Sequence, residues 1–338
     1  MKIVVTGGTG YIGSHTVVEL QQAGYEVVII DNLINSEIQV LDGIQNITGI
    51  RPDFEEIDLI SMEKVRDLFI RHDDIGGIIH FAALKAVGES VEKPLEYYFN
   101  NLLSLMNIVK CMQEFKVPYL VFSSSCSVYG EAKVLPVTES TPRLEAESPY
   151  GNTKVICEDI LRDTMKVNPG MSTIALRYFN PIGAHPSAHI GEHPKEIPQN
   201  LVSCLLRVAA GSQEELNIFG QDYDTPDGSP VRDYLDIMDL ANAHVVAIQR
   251  LIEKKGRSNY EYFNIGTGKG ATVLEVIHAF EQATGIKIHY RLSGRRPGDV
   301  EKIWADTALA TIELGWHTEI PIEESLVNAW RWQQKLMA

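Results

Sequence analysis

The stretch VVTGGTGYIGSH, residues 4–15, constrains this chain more than any other. Within it an apolar run breaks into Gly7, Gly10 and Gly13, spaced G-x-x-G-x-x-G between a predicted strand (KIVVTG) and a predicted helix (SHTVVELQQAG). Such a turn can need glycine merely because it is tight. The same spacing also suits a dinucleotide: one glycine makes the turn, one admits the pyrophosphate to the backbone, and one lets helix and strand pack closely. The helix N-terminus would then offer its free N–H groups to the anion. Glycines alone do not decide between the two.

The downstream pattern does. Short apolar runs, EVVIID, DFEEIDL, GGIIHFAA, VPYLVFSSS and STIALRYFN, alternate with helical periodicity, notably over 61–71, 94–116 and 149–167. Strands alternating with helices predict parallel pairing with right-handed crossovers, hence an α/β fold with a doubly wound, Rossmann-type sheet. Asp31 closes the second strand, 18 residues after Gly13, near the ~20 expected of the acid that binds an adenosine ribose. Its carboxylate would accept from a 2′-hydroxyl and repel a 2′-phosphate, favouring NAD over NADP. Asp58 is read as the end of the third strand, where adenine would lie. The ordered set points to a dinucleotide.

After Asn180 the pattern loosens, with Pro181, Pro186, Pro194 and Pro198 and short pieces such as ELNIFG and VRDYLDI. We therefore expect an NAD-binding domain over 1–180 and a smaller mixed α/β, substrate-binding part over 181–338. Segments within about 231–266, EYFNIG (261–266) among them, would return to the main sheet. No linker separates the two, so a cleft is expected above the carboxyl ends of the strands.

Composition narrows the partners. A formal charge of −15 argues against nucleic acid, which is gripped by clustered lysine and arginine. Placed arginines in an acidic chain still suit a small phosphorylated ligand. Cys111, Cys126, Cys157 and Cys204 have no paired short spacing, which fits neither a zinc site nor a disulfide framework and suits a reducing compartment. The N-terminus does not read as a signal peptide. No apolar run approaches the ~20 residues of a membrane span. A cytoplasmic protein is expected. His185, His189 and His193 are spaced by four, but Pro186, Gly191 and Pro194 disfavour the helix that would align them, so no metal is assigned.

Chemistry gathers at ESPYGNTKVICEDILRD. Ser148 and Pro149 suit the N-cap and first turn of a helix. Tyr150 and Lys154 would then share one face, about 6 Å apart at Cβ. A free phenol, with a pKa near ~10, is a poor base at neutral pH. A nearby ammonium and a cationic nicotinamide would both favour phenolate. Tyr129 and Lys133 repeat the spacing but start at Gly130 and run towards Pro136, so they read as loop. Ser123, Ser124 and Ser125 close the fifth strand, where α/β sites collect. Ser125 is placed to hydrogen-bond a substrate alcohol beside Tyr150.

On these motifs the chain resembles the extended short-chain dehydrogenase/reductases, and among them the 4-epimerase family acting on UDP-glucose and UDP-galactose. TGGTGYIGSHT, DNLINS, HFAALKAVGESVEKPLEYYFNN, FSSSCSVYG, SPYGNTK, RYFNPIGAHPS, IPQNL, NIFGQDYDTPDGSPVRDY, MDLANAHV, FNIGTGKG and RRPGDV carry the resemblance in order, across nearly the whole chain. It implies a retained NAD that takes hydride from C4 of the sugar and returns it to the other face after the 4-keto sugar turns over. Tyr150 would move the proton of the 4-hydroxyl, Ser125 would relay it, and Lys154 would hold the nicotinamide ribose. The further implied cofactor residues are Tyr11, Ile12, Asn32, Asn35, Ser36, Leu59, Phe81, Ala82, Lys85, Asn100 and Phe179. Asn180, Asn200, Phe219, Arg232, Arg296 and Asp299 would bind the UDP-sugar, the arginines on the diphosphate. The resemblance also implies a homodimer through the helices at 94–116 and 149–167.

The sequence departs from the family pattern at several positions. Ala83 stands where glycine is usual, Cys126-Ser127 replaces Ala-Thr, and Asp236 replaces a histidine. At Ile303 some members have tyrosine, which excludes N-acetylated sugars, and others cysteine, which admits them. Isoleucine predicts a pocket wider than the tyrosine form. A 4,6-dehydratase would need an Asp–Glu pair that SSSCSVYG lacks. A uronate epimerase or decarboxylase, or an NAD-binding sensor without chemistry, stays open on residues alone.

Overall fold

The computed structural model of the protein describes residues 1–195, 198–296 and 299–338. IPQNL and RRPGDV, quoted above, run partly through 196–197 and 297–298, outside the described residues. The first half alternates strictly: β1 (Lys2–Thr6), α1 (Tyr11–Gln22), β2 (Glu26–Asp31), α2 (Val40–Thr48), β3 (Asp53–Glu56), α3 (Met62–Arg71) and β4 (Ile75–His80). Then come α4 (Val87–Glu92), α5 (Pro94–Phe115), β5 (Tyr119–Ser125), α6 (Pro149–Val167) and β6 (Ser172–Tyr178). The later elements are β7 (Asn180–Ile182), α7 (Leu201–Ala209), β8 (Leu216–Phe219), β9 (Val231–Arg232), β10 (Tyr234–Asp236), α8 (Ile237–Ile252) and β11 (Tyr260–Ile265). The chain closes with β12 (Ala271–Thr272), α9 (Val273–Thr284), β13 (Tyr290–Ser293), β14 (Lys302–Ile303) and α10 (Ile322–Met337).

Among the described residues seven strands form one parallel sheet, ordered β3-β2-β1-β4-β5-β6-β11. Strand order reverses between β1 and β4, the place where α/β sheets open a ligand crevice at their carboxyl ends. Alternation in β1 explains the double winding. Ile3 and Val5 pack on the α1 and α8 face with Val17, Val18 and Leu240. Val4 faces the opposite core with Leu68, Leu105 and Leu161. Strands buried on both faces read as continuous apolar runs, as these do. EYFNIG enters the main sheet as β11, paired parallel with β6 from Tyr260↔Thr173 to Ile265↔Tyr178.

The remaining strands are short and fall into small sheets, β10-β7, β12-β9-β14 and β13-β8. They enclose a separate core of Val202, Leu205, Ile218, Phe280 and Leu326. The third strand ends at Glu56, two residues before the sequence reading placed its end at Asp58. Asp58 instead turns the chain, its Oδ1 accepting from Ile60 N–H at 3.2 Å. A carboxylate that captures a nearby backbone N–H competes with a strand ladder.

Candidate active site

The glycine loop joins β1 to α1. Gly7 has φ +69°, and a Cβ there would lie 2.9 Å from Ala82 N. A Cβ on Gly13 would run into the Gly7 carbonyl oxygen, and one on Gly10 would come within 3.1 Å of it. The N-cap, Gly10, offers no side-chain bond, and the first turn of α1, Tyr11 to Gly13, carries no acidic residue. Its N–H groups are therefore open to an anion, with the helix dipole favouring negative charge. Asp31 ends β2 beside this loop: Oδ1 accepts from Leu33 N–H and Ser36 Oγ, and Oδ2 from Thr9 N–H at 3.3 Å. Those three bonds hold the carboxylate and leave it roughly one of its about four acceptor positions, enough for a ribose hydroxyl. The bare cradle and the anchored acid fit a dinucleotide.

The other expected cofactor residues lie on neighbouring strand ends. Asn32, Asn35 and Ser36 follow β2, Leu59 follows β3, and Phe81, Ala82 and Lys85 follow β4. Thr6 Oγ1 is 2.8 Å from Nδ1 of His80 and accepts from Ala82 N–H, pinning the start of that loop. Burial, aided by the positive charge of Lys154, drives the His80 imidazole down to a pKa of about 3, so the ring is neutral. Asn100 lies on α5 and donates to Asn101 Oδ1, while Phe179 directly follows β6.

Helix α6 carries Tyr150 and Lys154, the pair expected to handle the proton. Its N-cap is Ser148, whose Oγ accepts from Gly151 N–H at 3.1 Å, and Pro149 opens the first turn. Tyr150 is partly exposed and Lys154 buried. Lys154 Nζ lies 5.8 Å from the Tyr150 ring centroid and donates to the Ser123 carbonyl at 2.7 Å. Burial lowers the ammonium to a pKa of about 8, against upward pulls from Cys157 and Glu158. The phenol differs from the sequence expectation: burial pushes its pKa well up, and a hydrogen bond from Ser125 works against that rise. Lys154 alone does not acidify it, because the cost of desolvating the phenolate dominates. The second Tyr–Lys pair lies off any α-helix: Tyr129 is buried, donating to Asn264 Oδ1, and Lys133 is exposed.

A cleft of about 550 Å³ opens in the second part of the chain. Asn180, Asn200, Phe219, Arg232, Arg296 and Asp299 all line it, as does Tyr11 from the cofactor loop. Ser125 and Tyr150 are not among its lining residues. Arg296 chelates Asp299 through Nε (3.0 Å) and Nη2 (2.8 Å), and Arg232 Nη2 stands 3.8 Å from the same carboxylate. Phe219 is exposed rather than core, with the Arg296 guanidinium 5.5 Å from its ring centroid. Two guanidinium groups and an open aromatic face suit a nucleotide diphosphate.

Asp236 caps α8 through Met238 N–H at 2.7 Å, and its Oδ2 is buried without a hydrogen-bond partner. The three histidines take separate partners: His185 with Ser187, His189 with Lys335, and His193 with Glu37. Sequence reasoning missed Asp233, a fully buried carboxylate that accepts from Thr267, Gly268 and Ala305 N–H groups. It ties the β9–β10 junction to the segment following Ile303. The only hint was its place between Arg232 and Tyr234 in VRDY.

Known proteins share this architecture throughout. Residues 3–266 match the NAD dependent epimerase/dehydratase family. The UDP-glucose 4-epimerase of Bacillus subtilis (strain 168) is 48% identical over 98% of this chain and 97% of its own length. That of Erwinia amylovora is 47% identical over 99% and 98%. Among solved structures, the UDP-glucose 4-epimerase of Stenotrophomonas maltophila, with bound NAD and formylated UDP-arabinopyranose, superposes with a TM-score of 0.96 at 43% identity, covering 100% of this chain and 99% of its own. The Bifidobacterium longum enzyme, in complex with NAD+ and UDP, gives 0.94 at 43% identity over 99% and 98%. With cradle, arginine cleft and full-length likeness in agreement, the chain belongs to the NAD dependent epimerase/dehydratase family, in its UDP-glucose 4-epimerase branch.

Proposed function

We propose that this chain interconverts UDP-glucose and UDP-galactose with NAD as its cofactor. The observation that carries the reading is the cleft walled by Arg232, Arg296 and Phe219, which meets the carboxyl edge of the main sheet at Asn180. Bound NAD supplies a reversible hydride acceptor. Tyr150 removes the proton of the sugar 4-hydroxyl and later restores it, and Ser125 hydrogen-bonds the same oxygen. Lys154, steadied by the Ser123 carbonyl, keeps a cation beside the phenol and reaches the nicotinamide ribose. The glycine loop, Asp31, Asn32, Asn35, Ser36, Asp58 and Leu59 hold the adenosine end, and Phe81, Ala82, Lys85, Asn100 and Phe179 the rest of the cofactor.

Arg232 and Arg296 grip the diphosphate, Asp299 holds both guanidinium groups in place, Phe219 walls the base, and Asn180 and Asn200 add polar contacts. Affinity concentrated at the nucleotide leaves the sugar free to turn over, which delivery of hydride to the opposite face requires. On this reading residues 1–180, joined by the returning strand of 231–266, bind NAD, and 181–338 bind the nucleotide. Ile303 is buried beside Val128, Tyr129 and Phe179, and, being smaller than tyrosine, it would leave a wider pocket that could take N-acetylated sugars. The chain works in the cytoplasm as a homodimer, without nucleic-acid or membrane partners. Among the described residues no helix is long and apolar enough to cross a membrane.

Mass spectrometry of the purified protein, with turnover of UDP-glucose, UDP-galactose and their N-acetyl forms, tests the reading. Bound NAD and interconversion of the first pair are expected. Absence of either removes the proposal, and turnover of the unacetylated pair alone removes the wider pocket.

A further inference from the structure

Glu192 lies in the loop before α7, and its carboxylate joins groups expected at two different ligands. Asn200 Nδ2 donates to it at 3.0 Å (Oε1) and 2.9 Å (Oε2), and Ser203 Oγ donates at 2.5 Å. Lys85 Nζ, from the loop after β4, reaches Oε1 at 3.4 Å. The Glu192 side chain is only 17% exposed, and its backbone carbonyl accepts from Trp332 Nε1 at 2.9 Å. Asn200 is held at its other end too, since its Oδ1 caps α7 by accepting from Ser203 N–H at 3.0 Å. The same loop crosses to the cofactor side twice more. Lys195 Nζ donates to Leu33 O at 2.6 Å, and His193 Nδ1 stands 3.6 Å from Glu37.

A lone carboxylate at the rim of a diphosphate cleft would repel its ligand. This one is matched by a cation, two side-chain donors and the positive end of α7, so its charge is spent within the protein. What it supplies is geometry: it fixes the start of α7 against the β4 loop. We propose that Glu192 is a positioning residue that braces the nucleotide-sugar side of the cleft against the NAD side, so that substrate affinity and cofactor retention both depend on it. This rests on the assignment of Asn200 and Lys85 to those two ligands.

The experiment uses the NAD-loaded protein and the variants Glu192→Ala and Glu192→Gln. In Glu192→Ala, KM for UDP-glucose should rise about tenfold with kcat within about threefold, the split expected for lost positioning of the ground-state complex. NAD should escape on dilution about tenfold faster, followed by the fluorescence of rebound reduced cofactor. Glu192→Gln keeps an acceptor for Asn200 but no charge for Lys85, so it should speed NAD escape with a smaller change in KM. In a Lys85→Met background, Glu192→Gln should add nothing to NAD escape, because the pair acts as one unit. Folded variants with KM and NAD escape both within about twofold of the parent would overturn the proposal, as would additive effects of the two substitutions. A parent that fails to turn over UDP-glucose points instead to the underlying function, and the NAD-escape comparison still decides the brace.

Discussion

On the proposed mechanism Tyr150 moves the proton, and its surroundings set a condition on it. Desolvation favours the protonated phenol against a hydrogen bond from Ser125, and Lys154 donates to the Ser123 carbonyl. The charge that lowers the phenol must then arrive with the oxidised cofactor, next to a Lys154 that still carries a proton at neutral pH. Tyr150→Phe should cut turnover by about 10²–10⁴-fold, the usual worth of a placed acid–base group, while NAD content by mass spectrometry stays at the parent level. Undiminished turnover would move proton transfer to another group. Asp236 gives a second prediction. Burial lifts its carboxyl from 3.8 to about 6, so between those values the folded state holds a proton that the unfolded chain has lost. Stability therefore falls as pH rises through that window and stays reduced above it. Asparagine caps a helix as well as aspartate does and carries no charge to bury. Asp236→Asn should raise the free energy of unfolding by on the order of 3 kcal/mol above the window, with a smaller gain at pH about 5 than at about 7.5. A gain independent of pH, read from thermal melts, would refute the account.

Helix α6 shows how elements set the site, and how far the sequence disclosed it. Its limits, 149–167, its Ser148 cap and its first-turn proline were legible, because capping and periodicity are local. The parallel strands and the return of EYFNIG were legible for the same reason, as apolar runs bounded by turns. What α6 rests on was not. Glu158, one turn beyond Lys154, accepts from Ser124 Oγ at 2.6 Å and from Arg177 Nε at 2.8 Å, all buried. Arg177 continues to Tyr129, and Tyr129 to Asn264. These partners are 19 to 135 residues apart, and no spacing rule reaches that far. The same limit hid Asp233 and the contact of Glu192 with Lys85. The buried pair fastens α6 to β5 and β6 at the level of Ser124, next to Ser125. Glu158→Ala leaves Arg177 unpaired and should cost about 3–5 kcal/mol in urea unfolding. Glu158→Leu combined with Arg177→Met should recover most of that loss. A single variant within about 1 kcal/mol of the parent would show that the pair does not secure the helix.

At the scale of the whole molecule, α4 and α5 present exposed apolar side chains. Val91 on α4 and Leu95 and Phe99 on α5 are 61%, 82% and 61% exposed, and Met106 continues the row two turns later. On α5 residues four and seven apart share a face, so Leu95, Phe99 and Met106 form a stripe, and Val91 on the preceding α4 is a further exposed apolar side chain. The chain carries a net charge of −15, yet this row has none, so it is the face the proposed homodimer would cover. Fully burying each such side chain is worth about 1.5–3 kcal/mol, and a two-fold axis counts every one twice. The same symmetry makes charge substitutions severe, since a glutamate placed near the axis approaches its own copy as well as an apolar neighbour. Leu95→Glu with Phe99→Glu should therefore convert a dimer to a monomer in sedimentation equilibrium. Both positions lie outside the cleft and the glycine loop, so the monomer should keep its NAD. A parent that sediments as a monomer, or a doubly charged variant that still sediments as a dimer, would move the contact elsewhere on the molecule.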